Sequence, residues 1–302
     1  MTWLLPFDSG IVMGLLFAWP VIAFAGAFRL FSFPDLTVEG SFPIGAATCA
    51  VSLINGLSVP LAIVLAAASG ACFGALTALI HTQLRINKFL SGIVVVAISY
   101  TLGLRLMNGS NVGLINQPSI FDFGRSLESF VGSQFQFGSI LLLGTILVIG
   151  SILRAAGTKT LWGVRLRVAG SSPEYASALG IHVPFSAVIT LACTNALVAA
   201  AGALLAMYQG FADIGMGQGL LILALASMTI GERIVPERSL SIPSYVVVAA
   251  IVGSLTYQVL IAYAVRFGLA VTDLKMATAM FVLAVIAVRF KRHDDSFFET
   301  IR

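Results

Sequence analysis

The chain has 302 residues, 58% of them hydrophobic and only 10% charged, with a formal net charge of +4 and a mean hydropathy of +0.99. A soluble domain of this length carries roughly a quarter charged residues, whereas here apolar runs of about 20 residues recur along most of the sequence. A soluble globular class is excluded, and so is a membrane barrel, whose strands alternate. What remains is an all-α polytopic membrane protein built as a single transmembrane domain over residues 1–302. The basic excess calls for no nucleic acid, because basic loops on one side of a bilayer produce it.

Nine spans are expected within a range of eight to ten: Gly10–Phe28, Gly40–Leu57, Pro60–His81, Phe89–Leu106, Gly138–Leu153, Pro184–Met207, Gly217–Ile230, Pro243–Val265 and Met276–Val288. The opening "MTWLLPFDSG" has no Lys or Arg and no cleavage pattern follows it, so the first span reads as retained. The seventh is short for a full crossing: either it is a half-helix or two turns are hidden in its polar flanks. Nine spans put Arg29, Arg85, Lys88, Arg154, Lys159, Arg165, Arg167, Arg233, Arg238, Arg289, Lys291, Arg292 and Arg302 on one side, against Arg105, Arg125, Arg266 and Lys275 on the other. The first side is expected to be cytoplasmic, with the N-terminus outside and the C-terminus inside.

After the first span, "FPDLTV" at Phe33–Val38 echoes "FADIGM" at Phe211–Met216. The two copies fall on opposite sides, as an inverted repeat requires, and such repeats place solute routes at their interface. Asp35 and Glu39, four residues apart, share a face if their segment is helical. They either line a route or mark the polar end of span one. Asp213 and Gln218 hold the matching outer position, facing either a solute and its carrier or only solvent. Asn55, Tyr100 and Asn195, with Ser99, Asn108, Asn111 and Gln258, lie in or beside spans, where polar groups bond between helices or line a pathway.

Small residues favour close packing, as at Gly70-x3-Gly74, within the chain or between copies. Cys49, Cys72 and Cys193 fall in apolar runs and read as buried hydrophobes. His81, His182 and His293 are scattered, so no metal site is expected. Glu232, Arg233, Glu237 and Arg238 in "GERIVPERS" suggest local ion pairs.

The interval around residues 159–183 is polar and basic. Within it, "SSPEYASALG" encodes a helix of about two turns. Ser171 or Ser172 caps it, Pro173 suits its first position, and Glu174 complements its dipole. Ala178 and Leu179 complete it, and Gly180 ends it in the left-handed conformation. Arg165 and Arg167 flank it. Such a knob either rests on lipid headgroups or docks into a cytoplasmic partner.

"GVRLRVAGSSPEYASALGI" resembles the coupling loop of permease subunits of bacterial ATP-binding-cassette importers, in the branched-chain amino acid permease superfamily. "FRLFSFPDLTVEGSFPIGAA", "LRINKFLSGIVVVAISYTLGLRLMNGSNVGLI" and "LASMTIGERI" are closer to the tryptophan-type permeases of uncharacterised substrate. The loop reads "SSPE" where relatives often carry Asn or Asp at the second position; Ser caps equally well. The resemblance spans nearly the whole chain. It implies a type II importer-like fold in the bacterial inner membrane, two permease copies in a homodimer, a separate ATPase dimer that binds ATP and Mg, an extracytoplasmic solute-binding protein, and an amino acid or similar small amphipathic solute. The coupling contact would then be made by Arg165, Arg167, Ser172, Pro173, Glu174, Ala178, Leu179 and Gly180. The chain has no Gly-Lys dipeptide and hence no phosphate loop, so a non-catalytic role with no cofactor of its own is expected. The competing reading is an ion-coupled secondary transporter, which needs no docking helix. A membrane enzyme would need an acid–base cluster that is not evident.

Overall fold

The computed structural model describes residues 5–122, 136–236 and 242–268, with single positions 273, 276, 279 and 280. The expected ninth span falls almost wholly outside them, as do Glu237 and Arg238. Ten helices are described: α1 (Leu5–Phe31), α2 (Val38–Ile54), α3 (Val59–Gln83), α4 (Lys88–Met107), α5 (Phe137–Lys159), α6 (Leu161–Ser171), α7 (Pro173–Ala178), α8 (Val183–Gln209), α9 (Leu220–Ile234) and α10 (Ile242–Arg266). Seven segments are long and apolar enough to cross a membrane, and α2 is a shorter apolar helix of 17 residues. The protein is an all-α polytopic membrane protein. The seventh expected span is lengthened at its polar flank: α9 has 15 residues, and with the 3-10 turn Ile214–Gly217 before it the segment Ile214–Ile234 reaches 21, one of those seven.

Local chemistry sets the ends. The Asn87 side chain caps α4 by accepting from the Phe89 amide at 3.0 Å. His182 does the same for α8 through Nδ1 and the Phe185 amide at 3.2 Å, with Pro184 in the first turn. Gly210 closes α8 at φ +78°, a conformation that costs glycine little.

α2 forms the centre, packed by α3, α4, α8 and the 3-10 turn. A β-carbon on Gly45 would overlap the backbone of Ala199, and one on Gly202 the carbonyl of Phe42, so α2 and α8 meet backbone to backbone. Gly70 and Gly74 seat α3 on α8 in the same way, which places the Gly-x3-Gly pattern in packing within the chain. Gly10 and Gly14 seat α1 on α10.

The echo in the sequence is a repeat in the structure. Asp35 and Asp213 are offset by 178 residues (213 minus 35), and the same offset carries both ends of α1 onto both ends of α8, each 27 residues long. Asp35 Oδ1 accepts from the Thr37 amide at 2.9 Å; Asp213 Oδ1 accepts from the Gly215 amide at 2.7 Å. Phe31 at the end of α1 packs on Gly170, while Phe185 at the start of α8 packs on Trp162, 6.4 Å between rings. Both contacts are to α6, so α1 and α8 run in opposite directions. The two most extensive helix pairings are α3 with α8 and α1 with α10, the exchange of partners that a two-fold relation demands.

Two short strands, β1 (Asn111–Gly113) and β2 (Phe211–Asp213), pair antiparallel with Asn111 opposite Asp213. They tie the connection after α4 to the connection after α8.

Three expectations need correction. Asp35 and Glu39 do not share a helix face: α2 begins only at Val38, after Pro34 has held the chain out of helix. Cys49 is buried, but Cys72 and Cys193 are exposed on the protein's surface. Among the described residues, Glu232 pairs with Arg29 across the fold, 2.6 Å away, and not with the adjacent Arg233.

Candidate functional site

A cavity of about 460 Å³ opens between α2, α4 and the turn before α9. Glu39, Ser99, Tyr100, Thr101 and Gln218 supply its polar groups; Pro43, Ile93, Val96 and Ile214 supply apolar wall. Positions 93, 96, 97, 100 and 101 of α4 line it because residues three and four apart on a helix share a face. Gly40 lets α4 approach: a β-carbon there would overlap the Ser99 hydroxyl. Glu39 Oε1 accepts from the Leu221 amide at 3.4 Å, at the N-terminus of α9, where the helix dipole favours an anion. The starts of α2 and α9 thus meet at one carboxylate.

Behind α2 lies a second polar group. Asp35 is wholly buried; its Oδ2 accepts from Asn195 Nδ2 at 2.6 Å, and the same nitrogen donates to the Leu191 carbonyl at 2.9 Å. The Thr37 and Thr77 hydroxyls bond to each other at 2.7 Å. Asn195 Oδ1 is buried and has no partner among the described residues. This cluster braces the start of α2 against α3 and α8.

At the basic end, α6 and α7 form a bracket between α5 and α8. Thr160 caps α6 by accepting from the Gly163 amide at 3.4 Å, and Arg167 donates to the Thr158 carbonyl at 2.6 Å. In α7 only Ala176 is buried, inserted among Ala169, Phe31 and Leu191. Glu174, Ser177 and Ala178 are exposed, Tyr175 is 61% exposed and, just beyond, Leu179 is 57% exposed. Ser172 stands at the N-cap, but its side chain makes no capping bond. Gly180 stops the helix at φ +75°. A two-turn helix pinned by one alanine therefore presents everything else outward.

A model of the family described as branched-chain amino acid transport system, permease component, matches residues 7–288. The chain belongs to that family. Among relatives, this permease is 32% identical over 260 residues to a tyrosine transport system permease protein of Clostridioides difficile (strain R20291), covering 86% of this chain and 83% of the relative. It is 24% identical over 269 residues to an uncharacterized protein of Rickettsia prowazekii (strain Madrid E), covering 89% and 91%. No solved structure matches.

Of the expected pathway residues, the permease brings Glu39, Tyr100 and Gln218 to one cavity. Asp35 and Asn195 meet each other instead, behind α2. Asp213 turns the chain after β2. Asn55 sits at the far end of α2, exposed, donating to the Val51 carbonyl. Among the expected coupling residues, Arg165 and the run Ser172–Gly180 are exposed apart from Ala176, while Arg167 is half-buried against α5. Thr101 and Ile214 were not singled out from the sequence; for Thr101 the signal was its position four residues after Ala97 and eight after Ile93, on one face of α4.

Proposed function

We propose that this permease is one of two identical copies forming the membrane pathway of an ATP-binding-cassette importer in the bacterial inner membrane. Separate ATPase subunits seat on α7 from the cytoplasm, bind ATP and Mg, and supply the work. The observation that carries this reading is α7: an exposed two-turn helix, held by Ala176, at the end of the molecule where the basic residues cluster. A secondary transporter has no use for it. The basic bias orients α6 and α7 inward, and an extracytoplasmic binding protein delivers solute at the end marked by β1 and β2.

The solute is an amino acid with an apolar or aromatic side chain. Glu39 suits its ammonium group, Tyr100 and Ile93 its side chain, and the related permease is named for tyrosine. The cavity is completed by a second copy laid against the apolar outer face of α4, where Leu90, Val94 and Ile98 are exposed.

The test is co-reconstitution with the ATPase in proteoliposomes. Glu174→Lys and Leu179→Ala are expected to release the ATPase and abolish ATP-driven uptake while the permease keeps its elution profile. Unchanged ATPase binding in both would remove the docking role. Ion-driven uptake by the permease alone in ATP-free vesicles would establish secondary transport in its place.

A further inference from the structure

A second cavity, of about 270 Å³, lies at the basic end, bounded by α1, α5, α6 and α8. Arg154 of α5 enters it from one side and Arg167 of α6 from another, and Trp162 stands at its edge, 52% exposed. The rest of the wall is mainly apolar, including Phe31, Leu166 and Ile189.

Arg154 has a place made for it beside the Cys193 thiol, with no anion among the described residues to pair with it. A β-carbon on Gly26 would overlap its guanidinium, so the glycine is what admits the side chain against α1. Among the described residues the ion pair is Arg29 with Glu232, and no carboxylate answers Arg154. A guanidinium among apolar groups is costly without an anion. Arg167 spends a donor on the Thr158 carbonyl, and its fork has more to give.

We infer that this cavity binds one anionic phospholipid, its phosphate held between Arg154 and Arg167 and an acyl chain laid along the apolar wall. Guanidinium forks match phosphate oxygens in pairs. Basic pockets between spans at the membrane boundary take acidic headgroups, and a tryptophan at the rim is the side chain of that boundary. A soluble phosphate would leave the apolar wall without an occupant. The site is separate from the α4 cavity and stands whether or not α7 docks an ATPase.

The test is native mass spectrometry of the full-length permease in detergent with equimolar phosphatidylglycerol and phosphatidylcholine. Wild type is expected to retain one phosphatidylglycerol per chain with about tenfold preference, and Arg154→Gln and Arg167→Gln each to cut that retention about tenfold. The wild-type competition reads the site even if a variant fails to fold. Equal retention of the two lipids by wild type overturns the inference. So does undiminished phosphatidylglycerol in both variants, or its displacement by millimolar inorganic phosphate, which would make this a site for the free ion.

Discussion

Asp35 and Asn195 stand 160 residues apart in the chain and 2.6 Å apart in space. Asp35 turns the backbone into α2; Asn195 belongs to α8, the opening helix of the second repeat. The repeat is broken at this point. Moving back by the same offset of 178 residues (213 minus 35), Asn195 corresponds to Phe17, which stacks on Phe42 at 5.9 Å. Asn195 reaches the start of α2 with a polar bond, whereas its counterpart Phe17 stacks a ring on α2 itself.

That bond should be measurable. A double-mutant cycle with Asp35→Ala and Asn195→Ala, read by thermal unfolding in detergent, is expected to give a coupling of about 1–2 kcal/mol. A coupling indistinguishable from zero would mean that the cluster contributes no specific support to α2.

The backbone contact of α2 with α8 predicts a sharp contrast among glycines. Gly45→Leu and Gly202→Leu should each cost about 3 kcal/mol or more, since the obstacle is main chain that cannot move aside. Gly144→Ala, with nothing within 4 Å, should stay within about 0.5 kcal/mol. Folded yield by fluorescence-detected size exclusion, with unfolding midpoints, separates the two classes.

The cavity beside α4 predicts a pattern of water access. In a background lacking Cys49, Cys72 and Cys193, cysteines at Thr101 and Gln218 should react with a charged thiol reagent about tenfold faster than one at Ile98, because only a hydrated thiol ionises readily. Ile98 is exposed but lies outside the cavity lining. Equal rates would place the cavity away from the aqueous route. In uptake assays Glu39→Gln should raise the half-saturating solute concentration about tenfold, as loss of one charge-assisted bond implies.

Arg29 and Glu232 predict a small effect. Both Glu232 oxygens accept from the Arg29 guanidinium, yet the side chains are 39% and 18% exposed. Glu232→Gln should therefore cost less than about 1 kcal/mol in thermal unfolding. The charge swap Arg29→Glu with Glu232→Arg should return to near wild type.

Features encoded locally were legible in the sequence. Pro34 predicts the break before α2, Pro173 and Gly180 bracket α7, and the short apolar run after Gln218 predicts α9. Contacts made across the fold were not. Nothing near Glu232 announces Arg29, and nothing near Asn195 announces Asp35. The orientation of Cys72 and Cys193 was hidden for another reason. Lipid and protein interior are both apolar, so the periodicity that separates inside from outside in water-soluble helices fades here. The helix α6 escaped because "LWGVRLRVAG" mixes charge and apolar side chains over 11 residues, too short for periodicity to speak clearly.

The ribbon of β1 and β2 limits how the cavity beside α4 changes shape. One wall of that cavity is α4, which leads into β1; the facing wall is the turn that leaves β2. Both walls are therefore bound along a common spine, like the covers of a book. Any swing that parts them must begin at the edge away from that ribbon, so the leaves open from one side only.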